Sequence, residues 1–344
     1  MPLVPATYPT FERAYLDVLR HLVDEYEYRN APRGAASRES MGMSFRIENP
    51  VERLPYLAAR RVNPIFHFAE ALWYMGGCND VAMMRYYAPY QYSVSRDGVT
   101  LGGSAYGARI FQPAVEGVSS FDRVMNLLRT EKDSKRGLIP IFEAPELAVE
   151  NNPDVSCVVA IHLLLREGRL HMVCYMRAND CYRGMVADVF SFTLIQEYAA
   201  VLLGAEMGTY THHIGSAHIG DRDFDRVQQV LAEADGSPHR EVPRWAMRRM
   251  PTETTPEILA SVQQHETALR TNTGQYRPQE IAALALPVYW QQVLLLFEVQ
   301  RQLAHCHTDP VDAEVLSALD PGLRWLVAQR WPTRMPGPFL EEAQ

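Results

Sequence analysis

Cys157 stands at the head of an apolar run that ends near Leu165, and a second apolar run, starting at Leu170, ends at Arg177. Between them Arg166-Glu167-Gly168-Arg169 has the composition of a tight turn, so the two runs read as a hairpin of largely buried strands. A hairpin returns the end of its second strand to the start of its first. Arg177 therefore falls beside Cys157, followed by Asn179, Asp180 and, eight residues further on, Asp188. A guanidinium next to a thiol favours the thiolate and can also hold an anion. The chemistry that fits is nucleophilic attack by sulfur. By position alone Cys157 is a small buried hydrophobe, and its company is what argues for more. Glu70 is the other candidate, a single acid inside the otherwise apolar IFHFAEALWYM. A carboxylate buried in a helix is costly unless it is paired or used to move protons.

The elements that must position these groups are legible in outline. Thr10 with Phe11, Tyr15, Leu19, Leu22 and Val23 predicts a capped amphipathic helix. Residues 28–46 form an arginine-bearing loop that runs into a strand. Asn63-Pro64 is a helix start and Gly76-Gly77 its end, enclosing Glu70. Residues 78–112, rich in Tyr, Gly and Ser, read as loop and strand. Residues 119–130 predict a helix, 188–203 a long apolar helix opened by Asp188 and closed by Gly204, and 206–214 a strand. Beyond about residue 235 helix starts recur at Thr255-Pro256 and Pro278, Pro287 interrupts an apolar segment, and no linker intervenes. The expectation is one α/β (α+β) domain over residues 1–344, a buried mixed sheet covered by helices, with 235–344 as a helical C-terminal extension packed on it.

From Cys157 through R-A-N-D-C-Y-R-G-M-V-A-D to S-A-H the sequence resembles the thymidylate synthase family, whose pattern is a catalytic Cys, R-S-x-D with a downstream Asn, then His-x-Tyr. E-A-L-W-Y-M-G-G, A-Y-G-A-R and D-S-K-R extend the resemblance upstream, in the family's order, across residues 10–235. The resemblance implies that Cys157 adds to carbon 6 of a pyrimidine nucleotide and that Glu70 manages protons through water while also facing the folate. It implies that Tyr106 lines the site and that Asp180 contacts the folate. His218 and residues 178–179 (Ala178, Asn179) would meet the nucleotide. Arg33 and Arg177 would hold its phosphate, with Lys135 and Arg136 supplied by the partner in a homodimer packed sheet on sheet. The co-substrate implied is 5,10-methylenetetrahydrofolate, and no metal is called for.

Departures from the family pattern refine the expectation. Asp188 stands where the family has Asn. An amide matches the N3–H donor and O4 acceptor of uracil, whereas a protonated carboxyl matches the N3 acceptor and N4 donor of cytosine. The same exchange marks the family's deoxycytidylate hydroxymethylase branch. Asp also caps helices, but Asn caps equally well, so capping does not account for the change. Between residues 81 and 105 the family's tryptophans are absent, and Tyr86, Tyr87, Tyr90 and Tyr92 occur with Ser93 and Ser95. A wetter site lets water, rather than hydride, capture a methylene intermediate. Ala178 replaces Ser, Lys135 replaces Arg and Gly220 replaces Tyr, which opens room for a ribose. The expected reaction is therefore 5-hydroxymethylation of CMP, as in the branch of the family that serves nucleoside-antibiotic biosynthesis. Its rivals are dCMP hydroxymethylation, 5-methylation, or an inactive nucleotide-binding dimer.

The formal charge of -8 argues against a general nucleic-acid surface. The early prolines and charges do not resemble a signal peptide, and Leu194 to Leu203 and Val293 to Phe297 are each too short to span a bilayer. Five cysteines without a CxxC pair suggest free thiols, and a cytoplasmic location is expected.

Overall fold

The computed structural model describes residues 4–89, 94–236, 244–306 and 309–340. Seven strands form one mixed sheet: β1 (Ala6–Tyr8), β2 (Tyr28–Asn30), β3 (Ser37–Ile47), β4 (Leu138–Pro140), β5 (Val158–Arg166), β6 (Arg169–Asp180) and β7 (Glu206–Gly220). Their order is β1-β3-β7-β6-β5-β4, with β2 also paired to β3. The β1–β3 and β6–β7 pairs are parallel and the rest antiparallel. The predicted hairpin is β5–β6. Glu167 and Gly168 both have positive φ (50° and 74°), the backbone a two-residue turn between right-twisted strands requires.

The helices in order are α1 (Phe11–Asp24), α2 (Pro64–Met75), α3 (Val81–Tyr87), α4 (Tyr106–Phe111), α5 (Ser120–Thr130), α6 (Pro145–Ala148) and α7 (Met185–Leu203). After these come α8 (Phe224–Asp235), α9 (Pro256–Arg270), α10 (Pro278–Ala282), α11 (Val288–His305), α12 (Ala313–Ala318), α13 (Pro321–Arg330) and α14 (Gly337–Leu340). Asn63 caps α2 as expected, its side chain accepting from Phe66 N at 3.0 Å. Every residue of α2 is buried, because α7 packs on one side of it and α11 and α13 on the other. The C-terminal helices thus rest directly on the helix that carries Glu70. The other face of the sheet, with Val173, Tyr175 stacked on His213 (5.4 Å) and His162, stays partly exposed.

Three expectations need correction. Among the described residues of 78–112 there are two helices, α3 and α4, with loop between them, where the sequence predicts loop and strand. Asp80 starts α3 by accepting from Met83 N, and its other oxygen accepts from the Trp73 indole. Gly107 lets α4 lie on the end of α2, where a Cβ would come within 2.2 Å of Tyr74 Cα. Asp188 does not open its helix; α7 begins three residues earlier, after Gly184, and Asp188 lies within its first turn. The apolar stretch around Leu194 to Leu203 belongs to a helix of 19 residues, which by length and composition could cross a bilayer. It is instead mostly buried between α2 and the sheet.

Candidate active site

Cys157 immediately precedes β5, and the segment before it is tightly held. Asp154 accepts from the backbone N–H groups of Gly102 (2.8 Å), Gly103 (3.0 Å) and Ser104 (2.9 Å). The approach is so close that a Cβ on Gly103 would sit 2.2 Å from Asp154 O. Glu146 accepts from Ser156 N and pairs with Arg109, the arginine of A-Y-G-A-R. Two buried carboxylates therefore hold the segment that leads to the thiol, and neither carries a signal in the sequence that marks it.

Arg177 lies beside Cys157, as the hairpin predicted. Its Nη2 is 3.7 Å from Sγ, and the guanidinium also donates to Ser156 O (2.7 Å) and Val155 O (3.0 Å). The thiol is nonetheless pushed above its ordinary value. Burial is the largest cause, and Asp188, Asp154 and Glu146 add to it, which together outweigh the lowering by Arg177. Arg177 favours the thiolate, as expected of a neighbouring cation, but burial and the three carboxylates oppose it. The Tyr106 hydroxyl accepts from the backbone N–H of Cys157 and lies within the fields of Asp188 and Glu70; burial raises its pKa well above 10.0. Its ring packs against Tyr74 and Phe192. Glu70 accepts from Ser191 Oγ at 3.3 Å.

Asp188 is half-buried and ringed by protein, and burial raises its carboxyl from 3.8 to about 7. Asn179 partly offsets this by donating to Oδ2 at 2.7 Å, and nearby Asp180 pushes the same way as burial. Ala178, Asn179 and Asp180 on β6 lie opposite Ser216, Ala217 and His218 on β7. His218 is flanked in turn by Glu39 on β3, which accepts from Ser216 Oγ and from Asn30 Nδ2. Asp180 Oδ1 accepts from Tyr182 N (3.1 Å) and Arg183 N (2.8 Å), which shapes the turn into α7.

Arg33 reaches the same neighbourhood by donating to Asn152 O at 3.2 Å, across a cavity of about 460 Å³ lined by Asn151, Pro153 and Val155. Lys135 and Arg136 are not brought to it. They lie beside the middle of β5, where the Lys135 carbonyl meets His162, and Arg136 pairs with Glu131. Five residues along the strand from Cys157, at about 3.3 Å each, that is roughly 16 Å within one chain. Tyr90, Tyr92 and Ser93 lie outside the described residues. Tyr87 donates to Glu266 at 2.7 Å, Tyr86 packs edge-on against it, and Ser95 donates to Thr100 O.

Sequence spacing holds no sign of a second opening. A cavity of about 700 Å³ is lined by Phe66 and His67 of α2, by Tyr87, Tyr182 and Arg183, and by Arg60, Arg61, Arg226 and Arg330. Arg183 and Arg226 pair with Asp223, whereas Arg60 and Arg61 donate to carbonyl oxygens. Burial, with Arg61 and Arg60 close by, lowers the pKa of Arg330, the mark of cations crowded without enough anions. His67 is buried and held neutral at about 3, and its Nδ1 has no hydrogen-bond partner among the described residues. Part of the cavity's wall comes from α2 and from the turn after Asp180.

The thermostable thymidylate synthase A of Bacillus subtilis shares this fold, with a TM-score of 0.54, 21% identity, and coverage of 64% of this chain and 84% of that one. The deoxyuridylate hydroxymethyltransferase of Bacillus phage SP01 is 27% identical over 246 residues, 65% of this chain and 63% of the relative. The deoxyuridylate hydroxymethyltransferase of Pseudomonas phage M6 is 31% identical over 191 residues, 55% of this chain and 53% of the relative. Both matches span less than two thirds of the relative's own length. The family model described as thymidylate synthase matches residues 13–287, taking in Glu70, Cys157 and Asp188. On that match, which covers well over half of the sequence, the chain belongs to the thymidylate synthase family.

Proposed function

We propose that the protein hydroxymethylates carbon 5 of cytidine 5′-monophosphate with 5,10-methylenetetrahydrofolate as donor. The carrying observation is a carboxyl, Asp188, raised to about 7 beside a thiol, Cys157, that has a guanidinium 3.7 Å away. Cys157 Sγ bonds to carbon 6 as thiolate, and the displaced π pair makes carbon 5 nucleophilic. Asp188 supplies a proton to N3 as charge builds there, and accepts from N4. Carbon 5 bonds to the donor's methylene and loses its proton, and tetrahydrofolate departs to leave an exocyclic methylene. Water adds to that carbon, and Cys157 leaves with the carbon–sulfur pair. Glu70 would move the protons through ordered water, and Tyr106 holds the Cys157 backbone.

Arg177 and Arg33 suit the phosphate, with Lys135 and Arg136 reaching it from a partner in a homodimer packed on the open sheet face. Asn179 and His218 flank the base and sugar, and Ala178 and Gly220 leave room for a 2′-hydroxyl. Asp180 faces the folate, and the arginine-rich cavity suits the carboxylates of its glutamyl tail. The whole chain acts as one unit, since α11 and α13 complete the packing of α2. Free thiols throughout fit a cytoplasmic enzyme.

The two phage relatives favour a second reading, hydroxymethylation of a deoxyuridylate. There a protonated Asp188 would have to turn its carbonyl to N3–H and its hydroxyl to O4, the reverse of the cytosine arrangement. An ionised one would leave O4 without a donor, a mismatch of about 1–3 kcal/mol. Mass spectrometry of products from CMP, dCMP, UMP and dUMP with methylenetetrahydrofolate tests the proposal. Hydroxymethyl-CMP is expected to lead. Preference for dCMP removes the ribose assignment, and preference for a uridylate removes the base assignment.

A further inference from the structure

Behind Asp188 lies a buried chain of three polar side chains. The Tyr210 hydroxyl is 2.8 Å from His212 Nδ1, His212 Nε2 is 3.1 Å from Asn179 Oδ1, and Asn179 Nδ2 is 2.7 Å from Asp188 Oδ2. Tyr210 and His212 are fully buried and Asn179 almost so. Burial holds His212 neutral, its pKa lowered to about 3, so it has one donor and one acceptor nitrogen. With Oδ2 accepting from the amide, Asn179 must turn its carbonyl to His212. His212 then donates from Nε2 and accepts from Tyr210 at Nδ1. The directions agree from His212 through Asn179 to Asp188 and leave Asp188 Oδ1 as the oxygen free to carry a proton, while the Tyr210 hydroxyl also has the buried Cys174 thiol as a hydrogen-bond partner. Gly184 lies against this pair, where a Cβ would stand 3.4 Å from both Asn179 Nδ2 and Asp188 Oδ2.

We propose that Tyr210, His212 and Asn179 form a positioning relay that dedicates one oxygen of Asp188 to accepting and the other to proton donation, and thereby sets cytosine-over-uracil selectivity. The inference rests on the cytidylate reading above. A neutral carboxyl free to present either oxygen could carry its proton on the wrong side of the base, whereas a fixed one matches N3 and N4 together. Tyr210 and His212 act through Asn179 and do not touch the substrate. The titratable groups facing Asp188 are Cys157, Tyr106, Asp180, Cys181, Cys174 and Tyr210. None of these six is a cation, so the amide end of the relay is what opposes the effect of burial on Asp188.

The test measures kcat/KM for CMP and UMP across pH 5.5–8.5 in wild type, His212→Phe, His212→Gln and Tyr210→Phe. Wild type is expected to prefer CMP. His212→Phe should lower the CMP-to-UMP ratio by about tenfold and move the Asp188 limb of the pH profile upward, because a poorly oriented amide lowers that pKa less. His212→Gln, which can still donate to Asn179, should recover much of the ratio. Tyr210→Phe, the mildest change, should lower the ratio by roughly two- to threefold. Equal losses on both nucleotides with an unmoved pH profile would mean that the chain only packs the core, and would overturn the relay while leaving the cytidylate reading intact. If His212→Phe does not fold, an unchanged ratio in Tyr210→Phe and His212→Gln overturns it equally. A wild-type preference for UMP overturns both the relay and the reading beneath it.

Discussion

Replacing Asp188 by Asn should stabilise the ligand-free protein above neutral pH. Burial raises this carboxyl from 3.8 to about 7. Between those values the unfolded chain has lost the proton that the folded chain keeps, so unfolding releases a proton. Stability from this group is fully present below pH 4, falls as pH rises, and is lost above 7. At about 1.4 kcal/mol per tenfold change in proton affinity the ceiling is about 4 kcal/mol. Because Asp188 is only half-buried, roughly half of that is expected. The replacing amide would retain a carbonyl to accept from Asn179, so packing is little disturbed. Urea unfolding of both proteins at half-unit steps from pH 4 to 8 reads the effect. The wild type should lose about 2 kcal/mol relative to the variant across that range. The same variant should turn over cytidylate more slowly and gain uridylate turnover. Parallel stability curves would refute the claim that Asp188 holds a proton near neutrality, and unchanged base preference would refute its role in reading the base.

Cys157→Ser should abolish product formation while nucleotide binding by calorimetry changes less than about threefold, since the phosphate cations remain. Arg330→Gln should weaken binding of a polyglutamylated folate by about tenfold and of the monoglutamate much less, because only the longer tail fills the arginine-rich cavity; equal weakening of both would count against that placement. Gly107→Ala should cost several kcal/mol, about 3 or more, with a lowered melting temperature, since the backbone of α2 at Tyr74 cannot retreat from the added methyl. Tyr175→Asp on the open sheet face should give a monomer by light scattering and lose activity as Lys135 and Arg136 are withdrawn; an active monomer would remove the cross-subunit assignment.

Much of this arrangement could be read in the sequence where the determinants are local. The β5–β6 hairpin declared itself through Glu167-Gly168, α2 through Asn63-Pro64 and Gly76-Gly77, and the apposition of Arg177 and Cys157 followed from the hairpin alone. Residues 78–112 misled because Tyr, Ser and Gly carry little helical signal. What makes α3 and α4 helical there is the Asp80 cap and the close seat of Gly107 on α2. Asp188 looked like a cap because the apolar run follows it, but Gly184 and the Asp180 turn start the helix a turn earlier. Tyr210 and His212 had no spacing to mark them, being two residues of a strand whose partners, Asn179 and Asp188, arrive from another strand and a helix. The arginine-rich cavity was illegible for the same reason, since Arg60 and Arg330 are far apart in sequence and meet only in three dimensions.

The register of β6 against β7 has an evolutionary consequence. Ala178, Asn179 and Asp180 face Ser216, Ala217 and His218 across a parallel ladder, and both strands are pinned on their outer sides by β5 and β3. A site carried on loops can drift by insertion or by small shifts of backbone. Here no such continuous path exists, because moving one contact by a single residue would turn a whole strand inside out. Change in substrate choice must therefore arrive as discrete exchanges of side chain at fixed addresses. A lineage of such enzymes should diverge in what it modifies while its backbone stays still.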